Sequence, residues 1–209
     1  MQHNSKIHLL INYFVPEEQE RRDEIDTALS NNIKNNKIYR IRVLIDGDHD
    51  IPKWAVHKKV IVIKSVGRLT YQQFFEHSAK HIDRGEICII ANADISFTPS
   101  ITKLRRYLDD DNCVAITRHD NIDNKWRIKA GSDSQDAWCY LNPLKELEEK
   151  PDFCLGIRGC DNRIAYLLKS AYAVRNPARK IILHHCHESG IRHYGSAKVN
   201  GKILRIDLE

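Results

Sequence analysis

The stretch at residues 86–97, EICIIANADISF, constrains the fold more than any other part of the chain. Residues 87–91 form a short, continuous apolar run, which is typical of a strand buried on both faces of a parallel sheet. The sequence then changes abruptly to Asn92, Ala93 and Asp94. In an open α/β sheet the ligand crevice lies outside the carboxyl ends of the strands, where polar groups can meet a substrate. We therefore expect a central strand with a functional site at its end.

Asn92 and Asp94 lie two residues apart, so in an extended chain their side chains point to the same side. A carboxylate in this position can hold a hard divalent cation, which in turn can neutralise a diphosphate. The alternative is an ordinary strand end at which Asp94 caps the next turn. The stretch alone leaves both interpretations open.

The rest of the pattern alternates between strands and helices. Strands are predicted at residues 7–15, 39–46, 60–63, 113–117, 137–141 and 180–185, and helices after residue 16, at 70–82, after residue 98 and at 161–172. This order predicts an α/β fold with a mostly parallel, mixed central sheet flanked by helices. No linker divides the chain, so we expect one Rossmann-like domain over residues 1–209.

Several local expectations follow from the same pattern. Thr70 and Gln73 have the spacing of a capping box, which marks a helix start. The alternation in residues 39–46 predicts a half-exposed strand, and the polar stretch at 118–136 predicts a long loop. The final segment at 201–209 has the character of another strand.

Charge and cysteine content exclude some functions. The net charge of +5 suits an anionic small molecule, but the chain has no Lys/Arg block that would follow a nucleic-acid backbone. The six cysteines are scattered, as expected for a reduced, cytosolic protein. No apolar run approaches the roughly 20 residues of a membrane span, so we expect no transmembrane segment, although the protein could work beside a membrane.

A cluster of histidines follows the last predicted strand. His184, His185, His187 and His193 fall within ten residues. His185 and His187 can point the same way on an extended chain, so one imidazole could complete a metal site begun by Asp94. The alternative is that each histidine is simply hydrogen-bonded at a strand end.

The segment LGIRGCDNR places Gly156 and Gly159 shortly before Asp161, at a predicted helix start. The structural interpretation is that Asp161 is the N-cap of this helix. The functional interpretation is that a carboxylate on a stiff turn accepts a proton from a hydroxyl group. Both can hold together, because a cap needs only one carboxylate oxygen.

The segment GSDSQDAW supplies Asp133 and Asp136 beside Trp138, a combination that can bind sugar hydroxyls through carboxylates and a ring face. An ordinary polar loop under a tryptophan explains the same residues. Arg68 precedes a predicted helix start and could clamp a phosphate or brace a carboxylate.

Taken in order, six segments resemble a glycosyltransferase of the GT-A fold. They are NYFVP, GRLTYQQFF, ANADISF, GSDSQDAW, LGIRGCDNRIAY and HHCHESGIRHY. In particular, the chain is similar to compact nucleotide-sugar transferase domains of large DNA viruses and bacterial surface-polysaccharide clusters, among them the chlorovirus rhamnosyltransferase domain. The resemblance covers nearly the whole chain.

The resemblance implies roles for individual residues. ANAD takes the place of the Asp-x-Asp motif of the family, with Asp94 as the metal-binding carboxylate and Asn92, a departure from the usual pattern, near the ribose or a metal-bound water. His185 or His187 would be the second ligand of Mn²⁺ or Mg²⁺, and Asp161 would be the base of an inverting reaction. The nucleotide pocket would be lined by Asn12, Tyr13, Val15, Asp46 and Arg68, and the transferred sugar or acceptor would face Asp136 and Trp138.

The implied reaction moves a sugar from a UDP, GDP or TDP sugar to a hydroxyl of a glycan or other acceptor, in surface glycan or polysaccharide synthesis. A sugar nucleotidyltransferase is an alternative, but it would be expected to carry a glycine-rich phosphate loop after the first strand, and NYFVPEEQERR has no glycine. A catalytically inactive nucleotide- or nucleic-acid-binding module is the non-enzymatic alternative.

Overall fold

A computed structural model describes residues 5–47, 49–131, 134–191 and 197–209. The strands are β1 Ile7–Tyr13, β2 Arg40–Asp46, β3 Val60–Ser65, β4 Ile87–Ala91, β5 Ile95–Phe97, β6 Asn112–Ile116, β7 His119–Ile122, β8 Lys125–Ile128, β9 Ala137–Leu141, β10 Ala173–Arg175 and β11 Leu183–His185. The α-helices are α1 Gln19–Lys34, α2 Tyr71–His81 and α3 Cys160–Leu168, and two 3₁₀ helices span Lys53–Ala55 and Pro99–Arg106.

Seven strands form the central sheet, in the order β10-β6-β9-β4-β1-β2-β3. Strand β9 is antiparallel to both of its neighbours, and every other neighbouring pair is parallel. The predicted fold class, a mostly parallel mixed sheet flanked by helices, is confirmed. The carboxyl ends of β1, β4 and β6 consequently meet at one edge of the sheet.

A second sheet of four strands, in the order β5-β11-β7-β8, covers that edge. Strand β11 pairs with β5 in the register that places His185 opposite Ile95, the residue directly after Asp94. The ring of Trp126 on β8 stacks on His184 at a centroid distance of 3.8 Å. This small sheet therefore brings the late histidines to the end of β4.

Two apolar cores lie on opposite faces of the central sheet, because side chains alternate along each strand. On β1, Leu9 and Ile11 belong to the core beneath α1, whereas Leu10 belongs to the core beneath α2 and α3. Both cores are fully buried at these positions. The sheet is thus covered on both faces, as its apolar strands require.

Particular residues fix where α2 begins and which face of α1 is buried. The Thr70 side chain accepts a hydrogen bond from the Gln73 backbone amide, and the Gln73 side chain accepts one from the Thr70 backbone amide, so the predicted capping box is confirmed. The buried stripe of α1 extends beyond its apolar residues to Arg21 at one end and Asn32 at the other. Asn32 bonds the backbone at both ends of β5, which ties α1 to the segment that follows Asp94.

The prediction of a long loop at residues 118–136 is wrong. The segment contains a hairpin, β7 and β8, whose turn residues Asp123 and Asn124 have φ values of 52° and 58°. Aspartate and asparagine tolerate this left-handed conformation, which a tight hairpin turn requires. The helix predicted after residue 98 is a 3₁₀ helix over Pro99–Arg106.

Two further expectations, those for β2 and for residues 201–209, differ from the structure. Strand β2 is buried along its interior, and Arg42 is covered because it donates to His8 and to the His81 carbonyl. Strand β3 is an exposed edge of the sheet. Residues 201–209 contain no strand.

Among the described residues, no helix has the length and apolar character needed to cross a membrane.

Candidate functional site

A cavity of about 610 Å³ opens at the edge of the sheet where β1, β4 and β6 end. Each strand delivers a polar residue to it just past or near its carboxyl end: Asn12 from β1, Asn92 and Asp94 after β4, and Arg118 after β6. Parallel strands that end together place these side chains in one crevice. The cavity thus lies where the sequence at residues 86–97 predicts a functional site.

Asp94 is a deeply buried carboxylate of this cavity, with only 5% of its surface exposed. Its Oδ2 atom lies 2.6 Å from a guanidinium nitrogen of Arg21 and 3.4 Å from a ring nitrogen of both His185 and His187. Burial alone would raise the pKa of Asp94, but hydrogen bonds from the histidines and the charge of Arg21 hold that pKa well below its usual range.

His185 is held from both sides of its ring. Its Nδ1 lies 2.9 Å from Asp120 Oδ1, and its Nε2 faces Asp94. The protonated ring can donate to both carboxylates, whereas the neutral ring with its proton on Nδ1 leaves the Nε2 lone pair available to a metal ion beside Asp94. Burial disfavours the charged ring, but the Asp94 carboxylate outweighs it and raises the pKa of His185.

His187 completes the cluster at the same carboxylate oxygen of Asp94. Its Nδ1 lies 3.4 Å from Asp94 Oδ2, and its ring centroid lies 5.0 Å from that of His185. Its other ring nitrogen, Nε2, is buried and finds no hydrogen-bond partner within the part of the chain that the structure describes. The structure therefore brings together the three residues that the sequence predicts as metal ligands.

The donor set fits a divalent metal ion. One ligand atom from each of Asp94, His185 and His187 can be chosen so that all three lie within 4.8 Å of one another. The second carboxylate oxygen of Asp94, Oδ1, is buried and has no hydrogen-bond partner among the described residues. Buried oxygens without a partner are rare and costly, so Oδ1 is a free acceptor for a cation.

Asp136 lies between the ends of β4 and β6. Its backbone accepts from the Asn92 amide at 3.2 Å and donates to the Ile116 carbonyl at 2.9 Å. Its carboxylate receives hydrogen bonds from the side chains of Asn92 and Arg118, at 3.2 and 3.1 Å. Burial raises the pKa of Asp136 even though the charge of Arg118 opposes the shift.

Asp161 lies in the first turn of α3 and is half-buried. The Cys160 thiol donates to its Oδ1 at 3.0 Å. Burial, followed by the negative charge of Asp136, raises the pKa of Asp161 to about 7. The N-cap of α3 is Gly159 at a φ of 84°, so the interpretation of Asp161 as the cap residue is wrong. Asp161 is not among the residues that line the cavity.

Asn12 and Arg68 form the wall on the α2 side. Both line the cavity, and Asn12 Oδ1 accepts from the backbone amide of Leu69 at 3.3 Å. This bond holds the segment that carries Arg68 against the end of β1. Gly156, which has a φ of 76°, lines the same wall.

Four other residues predicted for the site do not line the cavity. Tyr13 points to the opposite face of the sheet and donates to Asp26 at 2.7 Å. Trp138 is 1% exposed and packs edge-on against Tyr71 in the apolar core. Val15 packs against the core beneath α1, and Asp46 ends β2 outside the cavity lining. Asp133 and His193 lie outside the described residues.

Sequence reasoning missed the basic residues that pair with these carboxylates. Arg21 lies four residues before Ile25 on the buried stripe of α1, and that spacing was the available signal. Arg118 follows the apolar strand β6 as Asn92 follows β4, which is also visible in the sequence. Asp120 gave no signal, because only the hairpin brings it to His185.

The segment after β11 is fastened to α1. Glu24 Oε1 accepts from the backbone amides of Glu188 and Ser189, each at 2.6 Å. Arg21 also donates to Glu24, at 2.8 Å. The same helix therefore braces both Asp94 and the loop that carries His187.

No protein-family model matches the sequence, and no curated protein matches it. Among solved structures, residues 1–349 of TarS from S. aureus in complex with UDP-GlcNAc are similar at a TM-score of 0.56 and 11% identity, and the match covers 93% of this chain and 62% of that TarS chain. HddC from Yersinia pseudotuberculosis is similar at a TM-score of 0.51 and 11% identity, covering 86% of this chain and 93% of HddC. The chain shares their fold.

This fold is a Rossmann-like α/β arrangement of GT-A type. The 4-diphosphocytidyl-2C-methyl-D-erythritol synthase from Anaerococcus prevotii is a looser match, with a TM-score of 0.49 and 13% identity over 92% of this chain and 94% of its own. Fold alone does not decide the reaction, because one fold carries many chemistries. The choice of function therefore depends on the site.

Proposed function

We propose that the protein is a metal-dependent glycosyltransferase that moves a sugar from a nucleoside-diphosphate sugar to an acceptor hydroxyl. The observation that carries the proposal is the cluster of Asp94, His185 and His187 on the wall of the 610 Å³ cavity at the carboxyl ends of the strands. The resemblance to compact viral and bacterial transferase domains stays a hypothesis that this cluster supports.

The chemistry of the donor set indicates the kind of metal. Two imidazoles and one carboxylate suit a first-row divalent ion such as Mn²⁺ better than Mg²⁺, which prefers oxygen ligands. A cation held there would offset negative charge on the two phosphates of the donor and of the leaving nucleoside diphosphate. Asp120 would keep His185 in the tautomer that can act as a ligand.

The cavity wall supplies the remaining donor contacts. Arg68 offers a guanidinium that can bind a phosphate in a bidentate manner, and Asn12 offers an amide that can bind the nucleoside. Asn92 is half-buried, and its side-chain amide lies beside Asp136. In this position it would contact the ribose or a metal-bound water. Asp46, Tyr13 and Val15 would support this wall from behind.

We assign the general base to Asp161. A base is most effective when its pKa is close to the working pH, and that of Asp161 is raised to about 7. It would take the proton of the acceptor hydroxyl as that oxygen attacks the anomeric carbon and the bond to the donor phosphate breaks, with inversion. Asp136, clamped by Arg118, would bind hydroxyls of the sugar or acceptor, and Trp138 would stiffen the strand that carries it.

The proposal also covers the domain organisation, the acceptor and the place of action. Residues 1–209 would act as one domain, since the described strands belong to two sheets that share the site. The acceptor would be a glycan or another hydroxyl compound in surface polysaccharide synthesis, and the protein would act in the cytoplasm. The donor base and sugar are the first properties to measure.

Calorimetric titration with UDP, GDP, TDP and CDP, each with and without Mn²⁺, tests the donor site. We expect one diphosphate to bind in a metal-dependent manner, and Asp94→Asn to lose this binding. Asp83→Asn is the matched control, because Asp83 is exposed beyond the amino end of β4, far from the cavity. No binding by the folded native protein would refute the donor site.

Product analysis then tests the reaction class. With the sugar nucleotide that carries the selected base, a glycosyltransferase releases a nucleoside diphosphate and makes a glycoside or, slowly, the free sugar. A sugar nucleotidyltransferase would instead consume a nucleoside triphosphate and a sugar phosphate and release pyrophosphate. Release of pyrophosphate would replace the proposal by that alternative.

A further inference from the structure

A second cavity, of about 460 Å³, lies at the opposite edge of the central sheet. It is formed where β1 and β2 begin and where the chain enters β3. Six of its lining residues are basic, namely Lys6, Lys37, Arg40, Lys58, Lys59 and Arg105. None of the described lining residues is acidic. This basic cavity takes no part in the proposed transfer reaction.

The fold holds some of these cations in place and leaves others free. Lys59 donates to the carbonyls of Ile33 and Asn35 at the end of α1, at 2.9 and 2.7 Å. Arg105 donates to the Ser5 carbonyl at 2.6 Å. Lys37 and Lys58 are exposed, and within the described ranges neither side chain has a partner. The fixed cations shape the cavity, and the free ones project their charge into solvent.

Exposed apolar side chains adjoin the basic cavity along the chain. The segment at residues 53–59, KWAVHKK, carries Trp54, which is 48% exposed, and Val56, which is 74% exposed. Lys58, two residues after Val56, lines the cavity itself. An exposed tryptophan beside lysines is typical of surfaces that lie at the boundary between lipid headgroups and acyl chains.

We propose that the basic cavity together with Trp54 and Val56 docks onto an anionic lipid bilayer. Lysine and arginine side chains are attracted to the negative headgroups, and each contributes to affinity while it lies within a Debye length of the surface. Trp54 and Val56 would enter the headgroup region and add an apolar, salt-resistant contribution. The proposal does not depend on the donor site.

Two other occupants fit the surface less well. A second copy of the chain related by a two-fold axis would place the same uncompensated lysines against each other. A nucleic acid could stack a base on Trp54, but the ring of Tyr39 already carries Lys6 and Arg40 at 4.7 and 4.9 Å, and Val56, which is 74% exposed, would gain no apolar partner. Charge and exposed apolar surface together favour the membrane.

Vesicle co-sedimentation without nucleotide or metal tests the proposal. The native protein should bind vesicles of phosphatidylcholine mixed with phosphatidylglycerol, and it should not bind phosphatidylcholine alone. The double variant Lys37→Glu/Lys58→Glu should bind the anionic vesicles at least about tenfold more weakly. The control variant Lys150→Glu/Lys169→Glu has the same net charge and changes two exposed lysines elsewhere, so it should retain most of the binding.

Trp54→Ala separates the apolar contribution from the electrostatic one. We expect it to reduce the binding that persists at high salt, whereas the lysine variants act mainly at low salt. Equal binding to neutral vesicles, or an equal loss in both double variants, would overturn the proposal. Binding of soluble polyphosphate without any binding of vesicles would also overturn it. The same holds if the native protein forms concentration-dependent dimers and the Lys37→Glu/Lys58→Glu variant stays monomeric.

Discussion

The guanidinium of Arg21 lies 2.6 Å from the carboxylate of Asp94, across a separation of 73 residues in the sequence. Both side chains are almost completely covered, and Asp94 uses the same oxygen toward His185 and His187. Burying a carboxylate without a partner is costly, so Arg21 compensates its charge when no metal ion is bound. Arg21 therefore competes with the cation that the site is proposed to hold.

We expect Arg21→Gln to lower the free energy of unfolding by about 3 kcal/mol in the absence of metal, because Asp94 loses its buried partner. Addition of Mn²⁺ should raise the melting temperature of the variant more than that of the native protein, since bound ligand adds stability and no guanidinium repels the ion. Arg22→Gln is the control, because Arg22 donates to the Pro16 carbonyl instead. Equal Mn²⁺ shifts in native protein and variant would contradict the competition.

Asp120 is expected to position His185 rather than bind metal itself. Its hydrogen bond to Nδ1 orients the ring, and loss of such a partner typically weakens metal binding roughly 10–100-fold. Asp120→Asn should therefore weaken Mn²⁺ binding by that factor in a metal titration. Asp123→Asn, which lines the same cavity without contacting His185 in the described structure, should leave binding nearly unchanged. Matching losses in the two variants would indicate a general charge effect instead.

The pKa of about 7 for Asp161 predicts a pH dependence of stability. The native state keeps this proton up to about pH 7, whereas the unfolded chain releases it near the ordinary value of 3.8, so native stability falls as pH rises through this window. Asp161→Asn removes the effect. Above pH 7 the variant should be more stable than native by roughly 2–4 kcal/mol, and the difference should shrink toward pH 4.

Denaturant unfolding at several pH values measures this difference, with Asp152→Asn as an exposed control. The same Asp161→Asn protein should lose transferase activity by roughly 10²–10⁴-fold while it still binds the nucleoside diphosphate. Unchanged activity would remove Asp161 from the role of base. A corresponding loss in kcat for Asp136→Asn, with Asp161→Asn active, would move that role to Asp136.

Arg118 and Asp136 are expected to behave as one unit. Arg118 donates to Asp136 at 3.1 Å, and Asp136 is only 3% exposed. Arg118→Gln should therefore destabilise the fold by about 3 kcal/mol, because it leaves a buried carboxylate without its cation. The double variant Arg118→Gln/Asp136→Asn should recover a large part of this loss. A double-mutant cycle from urea unfolding measures the coupling, and strictly additive losses would show that the pair is independent.

Much of the fold could be predicted because hydrophobic patterning reports burial directly. The run at residues 87–91 indicated a strand covered on both faces, and β4 lies at the centre of the sheet. The spacing of Thr70 and Gln73 indicated a helix start, since a capping box involves only neighbouring residues. The pattern predicted that the face of β2 that carries Arg42 is exposed. Arg42 is instead buried, because it donates a hydrogen bond to His8 on the neighbouring strand.

The sequence by itself determined the fold class and three members of the proposed metal site, because strand ends, apolar runs and closely spaced histidines are local features. Only the tertiary structure decided the remaining partners. Arg21 reaches Asp94 through the packing of α1, and Asp120 reaches His185 through the hairpin β7–β8. Such pairs join distant segments by registers and packing that no local pattern encodes, so they arise only when the whole chain has folded.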